Sequence, residues 1–187
     1  MAAKAKTRTS LDRNAWITAA IDVLAEHGID GVRVEVLAKR CRVTKGSFYW
    51  HFKDRDELLS AVLAAWKQGR IEFVRRQMQA APEHARAQLY RVIDLYSGAT
   101  NRRGMQIELA IRDWARRDAR AVAVVAQVDA ARLAHTSGLF RACGLPRREA
   151  TSRSLLLYAY TFGLSLMSYD RSKFGPLKTW IADYIAK

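Results

Sequence analysis

Hydrophobic residues recur along most of the chain at spacings of three and four, which is the period of an amphipathic helix. No stretch alternates apolar and polar positions between hairpin turns, as a half-buried strand would. The pattern therefore predicts an all-α fold of about nine helices. The helices are expected at about residues 11–27, 34–41, 45–52, 54–79, 83–100, 104–118, 119–143, 146–169 and 176–186.

The first three predicted helices are short and closely spaced. Ile17, Ile21 and Leu24 make the apolar stripe of the first helix, which Gly28 is expected to end. Only residues 42–44 separate the second helix from the third, and these are too few for a loop. Two short helices joined by so tight a turn are typical of a helix-turn-helix.

The third helix carries aromatic and cationic residues that one core face cannot bury together. Phe48 and Phe52 lie about 40° apart around the helix and are expected to face the core. The residues left outside are Lys45, Gly46, Ser47, Tyr49, Trp50 and His51. Hydroxyl groups and cations bind phosphates, and a lysine or an indole can contact base edges in a major groove. This face predicts a DNA-binding helix; the alternative is that its three rings pack against the fourth helix.

Residues 30–62, DGVRVEVLAKRCRVTKGSFYWHFKDRDELLSAV, resemble the helix-turn-helix of the tetracycline-repressor (TetR) family of bacterial transcription regulators. The matching positions are Leu37-Ala38, Val43-Thr44, Phe48-Tyr49, His51-Phe52 and, after an acidic start, Leu58 of the fourth helix. The resemblance covers about residues 11–65. The rest of the chain resembles the family only in being helical.

The resemblance implies a homodimer that binds a near-palindromic operator in double-stranded DNA and is released by a small-molecule effector. By motif position, the implied phosphate contacts are Thr44, Tyr49, His51 and Lys53 or Arg55. The implied base contacts are Lys45, Gly46, Ser47 and Trp50. A basic arm over residues 1–10, with Lys4, Lys6 and Arg8, is placed to follow the DNA backbone or the minor groove. We expect a DNA-binding domain over residues 1–53 and an effector-binding and dimerisation domain, a helical bundle, over 54–187.

Two positions depart from the family pattern. The residue before Val43 is usually a glycine with positive φ, and Arg42 in its place costs on the order of 1 kcal/mol. The usual threonine cap of the second helix is replaced by Arg33, which loses roughly 1 kcal/mol. Both arginines add positive charge near the DNA backbone, so Arg42 joins the candidate DNA contacts.

The predicted helix over 146–169 is apolar on nearly all sides and needs cover from several directions. With the last helix it is expected to form half of a two-fold four-helix dimer interface. The candidate interface residues are Leu156, Ala159, Tyr160, Gly163, Met167, Trp180 and Tyr184. The alternative is a core helix buried within one chain, because apolar periodicity does not distinguish the two kinds of burial.

An effector pocket is expected among the helices between residues 60 and 145. Its candidate lining residues are Trp66, Phe73, Tyr90, Tyr96, Ile111, Trp114 and Phe140. Large apolar side chains repeated at helical spacing are also typical of an ordinary core. The arginines of the segment IRDWARRDAR are expected on a solvated face, with i,i+4 pairs from Glu108 to Arg112 and from Asp113 to Arg117; an anionic effector is the alternative.

The formal net charge of +14 and the isoelectric point near 10.3 favour a polyanionic partner. Residues 1–60 hold 11 Lys and Arg against 8 Asp and Glu, while residues 61–187 hold 21 against 10. Most of the excess therefore lies outside the predicted DNA-binding module, and charge alone does not establish that function.

Other classes of protein receive little support from the sequence. The four histidines show no metal-binding spacing, and no nucleophile elbow or phosphate loop is present, so we expect neither an enzyme nor a metal or cofactor. The two cysteines are far apart and the longest apolar run, 155–167, is too short to span a bilayer, which favours a cytoplasmic protein without a membrane partner. The remaining alternative is an architectural DNA-binding protein that responds to no ligand.

Overall fold

The computed structural model describes residues 11–78, 84–96, 101–167 and 183–185, with the side chains of 94–96 left aside. Helices make up these ranges, and no strand occurs within them, so the predicted all-α fold is confirmed. The helices are α1 (Arg13–Gly31), α2 (Val34–Arg40), α3 (Lys45–Tyr49), α4 (Arg55–Met78), α5 (Ala85–Tyr96), α6 (Arg102–Ala115), α7 (Ala119–Ala142) and α8 (Arg147–Leu166). Residues 183–185 are also helical and fall within the last helix that the sequence predicts.

Helix α1 begins two residues later than expected and is interrupted where the sequence predicts its end. The Asp12 carboxylate caps the helix by accepting a hydrogen bond from the Ala15 amide at 2.7 Å. Gly28 has a φ of 69°, a left-handed conformation that suits glycine, and one further helical turn reaches Gly31. The Arg55 guanidinium then donates hydrogen bonds to the carbonyls of Ile29 at 2.8 Å and Val32 at 2.6 Å, which ties this turn to the start of α4.

The helix-turn-helix is held by an aromatic cluster between α1 and α3. The ring of Phe48 meets Trp16 edge to face at 5.4 Å between centroids and stacks with Phe52 at the same distance. Phe48 is 0% exposed and Phe52 1%, so the predicted core-facing pair is confirmed. Each such ring contact stabilises the fold by about 0.5–1.5 kcal/mol beyond area burial, which fixes a helix too short to be stable alone.

Both predicted departures in the turn region are confirmed. Arg42 has a φ of 56°, in the left-handed region that a glycine would occupy without strain. Arg33 is the N-cap residue of α2 and its side chain makes no capping hydrogen bond.

The apolar core around the helix-turn-helix continues into α4, α6 and α7. Leu58 and Trp66 of α4, Ile111 of α6 and Val128 of α7 belong to the same buried cluster as Trp16. A second cluster joins α5, α7 and α8; its larger members include Leu89, Ile93, Phe140 and Leu157. Helix α6 therefore packs directly against α1 of the helix-turn-helix module as well as against the C-terminal helix α7.

Ion pairs reinforce this contact at the surface. Arg117, just after α6, lies 3.5 Å from Asp30, and the guanidinium of Arg120, at the start of α7, lies 2.7 Å from the Asp56 carboxylate of α4. Hydrogen bonds from Arg120 also lower the pKa of Asp118 to about 2. The two predicted i,i+4 pairs, Glu108 with Arg112 and Asp113 with Arg117, are both confirmed. Within the described residues, no helix is long and apolar enough to cross a membrane.

Candidate nucleic-acid interface

The outward face of α3 carries large aromatic side chains in solvent. Trp50 is 87% exposed and Tyr49 is 59% exposed, although both lie close to the buried Phe48 in the chain. Tyr49 packs edge to face on Phe48 at 5.2 Å, so its ring is held in place while most of the side chain stays accessible. An exposed tryptophan adds no core packing, so the alternative that Trp50 packs against α4 is wrong.

The backbone at the start of α3 is open to close approach. Thr44 is the exposed N-cap residue, and its side chain makes no capping hydrogen bond, which leaves its hydroxyl available to a partner. A Cβ added at Gly46 would meet only Thr44 Oγ1, at 3.8 Å, so a ligand surface can approach there. Ser47 and His51 are half-buried on the flank of the same face, and Arg42 is exposed in the preceding turn.

The cations beside this face are held in different ways. Lys45 Nζ donates to Glu35 Oε1 at 3.3 Å, with both side chains exposed. A backbone hydrogen bond and the one from Lys45 lower the pKa of Glu35, so the carboxylate is ionised at neutral pH. A phosphate or base would therefore compete with Glu35 for Lys45. Lys53 is exposed, whereas Arg55 is half-buried and already bound to two backbone carbonyls.

The sequence offered Lys53 and Arg55 as equivalent phosphate ligands, and the structure separates them. The guanidinium of Arg55 has a structural role that sequence reasoning had no means of finding, because its carbonyl partners, Ile29 and Val32, lie 26 and 23 positions earlier in the chain. The predicted basic arm, with Lys4, Lys6 and Arg8, lies outside the described residues.

Helix α8 presents apolar side chains on its outward face. Ala150, Leu157, Tyr158 and Thr161 are buried on the inner face. The predicted interface residues on the other side are Leu156 and Ala159, which are exposed, Tyr160 and Gly163, which are half-buried, and Met167, which is exposed. Leu155 and Leu166 extend this surface, and Tyr184 is also exposed. Trp180 lies outside the described residues.

Most of the predicted pocket residues fall into two apolar core clusters. Trp66, Ile111 and Trp114 belong to the first core cluster, while Phe140 belongs to the second and Tyr90 packs against it. Phe73 is half-buried, and the side chain of Tyr96 lies outside the described part.

Two open grooves, with volumes of about 540 and 590 Å³, lie between α7 and α8 or along α8. Their linings share Arg147 and Thr151 and contain none of the predicted pocket residues.

Sequence reasoning missed a buried ion pair in the C-terminal helices. Glu108 was expected on a solvated face, yet it is 2% exposed and binds Arg132, which is 1% exposed. The available signal was positional: Arg132 and His135 stand between Val128 and Leu139 at the spacings of the buried stripe of α7. In the described ranges, no group of three or more His, Cys, Asp or Glu side chains could hold a metal ion.

The N-terminal region of the chain is similar in sequence to known transcription regulators. Residues 17–62 match the model of the family described as bacterial regulatory proteins, tetR family. The tetracycline repressor protein class A from transposon 1721 of Escherichia coli is 42% identical over 57 residues, which are 30% of this chain and 26% of that protein. The regulator SrpR of Pseudomonas putida is 35% identical over 65 residues, or 35% of this chain and 30% of its own length.

Similarity of fold extends much further along the chain. The crystal structure of a transcriptional regulator from Rhodococcus sp. Rha1 matches with a TM-score of 0.68 at 20% identity, over 94% of this chain and 90% of that one. The sequence matches span about a quarter to a third of the two curated relatives, while the architecture is shared over nearly the whole chain.

Proposed function

We propose that this chain, which belongs to the TetR family of bacterial transcription regulators, is a repressor that binds a near-palindromic operator as a homodimer and is released by a small-molecule effector. The observation that carries the proposal is the outward face of α3, where Trp50 is 87% exposed opposite the buried Phe48. An indole that is exposed to water contributes no core packing to the stability of the fold, and base edges in a major groove would cover it.

The proposed roles follow from the position of each residue on α3 and around it. Lys45, Gly46 and Trp50 on the open face, and Ser47 on its flank, contact base edges. Thr44, Tyr49, His51, Lys53 and Arg42 contact phosphates on either side. Arg55 supports the module by holding the end of α1.

We assign residues 1–53 to the DNA-binding domain and 54–187 to the effector-binding and dimerisation domain. We also propose a cytoplasmic protein, since the regulator acts where the DNA is.

The test of the proposal begins with selection of binding sites by the full-length chain from random duplexes. A repressor should enrich one near-palindrome and bind it about 10³-fold or more above random DNA. The alternative, a ligand-independent architectural protein, would show little sequence preference. A relative that is 42% identical over the matched N-terminal region is a tetracycline repressor protein, which favours the first outcome.

Replacing Trp50 by alanine is expected to lower operator affinity by about ten- to hundredfold while leaving affinity for random DNA nearly unchanged, because the indole reads bases. The matched variant Lys53→Ala should weaken both kinds of binding alike and reduce the salt slope by about one, since it removes one phosphate ligand. Fluorescence anisotropy with the selected operator and a scrambled duplex measures both ratios. Equal losses from Trp50→Ala on the two duplexes would remove Trp50 from base reading.

The dimer is proposed on the outward face of α8. Leu155, Leu156, Leu166 and Met167 are between 49% and 73% exposed, an apolar surface that monomeric proteins seldom leave uncovered. A Cβ added at Gly163 meets nothing within 4 Å, so a partner helix can approach closely there.

The variant Ala159→Arg is expected to convert the dimer to a monomer, since it places an unpaired charge at the centre of this surface. Sedimentation velocity measures the change, and operator affinity should fall with it because both half-sites must be occupied. Ala87→Arg, at an exposed position of α5, is the matched control and should remain dimeric. A wild-type monomer, or an Ala159→Arg dimer, would contradict this interface.

A further inference from the structure

Five charged side chains meet where α4, α6 and α7 pack together: Arg70, Glu108, Arg112, Asp129 and Arg132. Glu108 and Arg132 are buried and the other three are half-buried. Three guanidinium groups face two carboxylates, so the cluster carries one positive charge in excess. Charge enclosed in this way is costly unless an anion balances it.

Both carboxylates of the cluster are already engaged. Arg132 donates to the two oxygens of Glu108 at 2.8 and 2.9 Å, and Arg112 donates to the two oxygens of Asp129 at 2.9 and 2.5 Å. Such two-pronged, charge-assisted pairs are the strong kind. A cationic ligand would have to displace a guanidinium from one of them, so the cluster disfavours cations.

Arg70 is held more loosely than the other two arginines. Its Nε lies 3.7 Å from Glu108 Oε2, beyond hydrogen-bonding distance, and its Nη2 makes a long hydrogen bond of 3.4 Å to the Gly104 carbonyl. A guanidinium carries five N–H donors, so Arg70 keeps the capacity to bind an incoming carboxylate.

Two buried polar atoms lie one helical turn from the cluster. Neither Trp66 Nε1 nor His135 Nε2 has a hydrogen-bond partner in the part of the chain that the structure describes. Trp66 precedes Arg70 by four residues on α4, and His135 follows Arg132 by three on α7, so each shares a face with its arginine. Burial lowers the pKa of His135, which is therefore neutral at pH 7. Buried polar atoms are almost always hydrogen-bonded, and a ligand would supply what these two lack.

The wall beside the cluster is aromatic. The ring of Phe162, from α8, covers the Arg112 guanidinium with 4.1 Å between the guanidinium carbon and the ring centroid. Phe162 is half-buried, and Ile107 of α6 is half-buried one residue before Glu108. A flat apolar body suits this surface better than a fully hydrated anion does.

We propose that α4, α6 and α7 form a binding site for a small aromatic carboxylate, which Arg70 binds through its guanidinium and which Trp66 and His135 hydrogen-bond. This inference names the chemical class of the effector and depends on the proposed function only for its consequence on DNA. The charge of the ligand determines the selectivity of the site. A carboxylate neutralises the one positive charge in excess, whereas a neutral analogue of the same shape leaves it unbalanced and a cationic analogue adds to it.

Three nearly isosteric probes test this directly: benzoate, benzamide and benzamidinium. Isothermal titration of the full chain at low chloride should show benzoate binding at least about tenfold more tightly than benzamide, with benzamidinium weakest. Arg70→Gln should abolish the preference for benzoate, and Arg70→Lys should retain part of it. Arg76→Gln, an exposed arginine on the same helix, is the control and should change nothing.

The proposal is overturned if benzoate binds no more tightly than benzamide, or if Arg76→Gln weakens benzoate as much as Arg70→Gln does. Melting transitions of the variants identify any that are unfolded, and Arg70 is exposed enough for glutamine to be tolerated. The titration contains no DNA, so its result does not depend on operator binding. Conversely, a chain that binds benzoate but never binds an operator would contradict the proposed function and still support this binding site.

Discussion

Replacing Phe48 by alanine is expected to lower the free energy of unfolding by about 3–5 kcal/mol, enough to unfold the helix-turn-helix at physiological temperature. The side chain is 0% exposed and contacts the rings of Trp16, Tyr49 and Phe52. Helix α3 has only five residues and cannot persist without tertiary contacts, so losing its anchor releases the whole recognition surface. Urea unfolding followed by circular dichroism measures the loss.

Trp50→Ala is the matched control, since it removes a large ring from the end of the same helix. Because Trp50 is 87% exposed, the change in stability should stay within about 0.5 kcal/mol. Together the two variants separate the inner face of α3, which stabilises the module, from the outer face, which is proposed to bind DNA. If both variants lost a similar amount of unfolding free energy, Trp50 would have to pack in the core, which would contradict its 87% exposure.

The arrangement of the helix-turn-helix could be predicted from the sequence because local rules decide it. Phe48 and Phe52 are four residues apart, so one helical turn places both on one side, and their burial follows. The left-handed conformation of Arg42 was expected from the resemblance, because the family usually has a glycine with positive φ at this position. These features need no knowledge of distant parts of the chain.

The interior of the C-terminal helices could not be predicted in the same way. Apolar and aromatic residues at helical spacing identified Trp66, Ile111 and Trp114 as inward-facing, and all three are buried. Periodicity does not say which helices those faces meet, however, and the three belong to a core cluster shared with α1. A set of stripes therefore predicts a core more readily than a pocket, because a pocket depends on where packing fails.

Glu108 is the clearest case of an environment that local sequence patterns do not predict. Its spacing to Arg112 predicted a solvated i,i+4 pair, and that pair exists, but the carboxylate is buried because Arg132 reaches it from α7. The two residues are 24 positions apart, and only the packing of α6 on α7 brings them together. A charged residue on a predicted helix face is usually solvated, so local reasoning chooses the wrong environment for this one.

Removing the charge of Glu108 should therefore be among the most destabilising polar changes in the chain. Glu108→Gln keeps the shape of the side chain but leaves the buried Arg132 guanidinium facing a neutral amide, with Asp129 at 3.6 Å as weaker compensation. The expected loss is about 3–5 kcal/mol, as for other broken buried pairs. The double variant Glu108→Gln/Arg132→Met should regain most of that loss, since no buried charge is left without a partner. A double variant no more stable than Glu108→Gln alone would contradict a specific pairing.

The same pair predicts a dependence of stability on pH. Burial alone would raise the pKa of Glu108, but hydrogen bonds and charges from Arg132, Arg112 and Arg70 outweigh it and hold the pKa below its ordinary value. A carboxyl with a lowered pKa in the folded state stabilises the fold above its unfolded pKa of about 4.3, and that stabilisation is lost as the pH falls through the folded value. The difference in unfolding free energy between wild type and Glu108→Gln should therefore be constant near neutral pH and shrink in acid. Urea titrations at several pH values measure it, and a difference that persisted unchanged in strong acid would show that the ionised carboxylate does not stabilise α6 against α7.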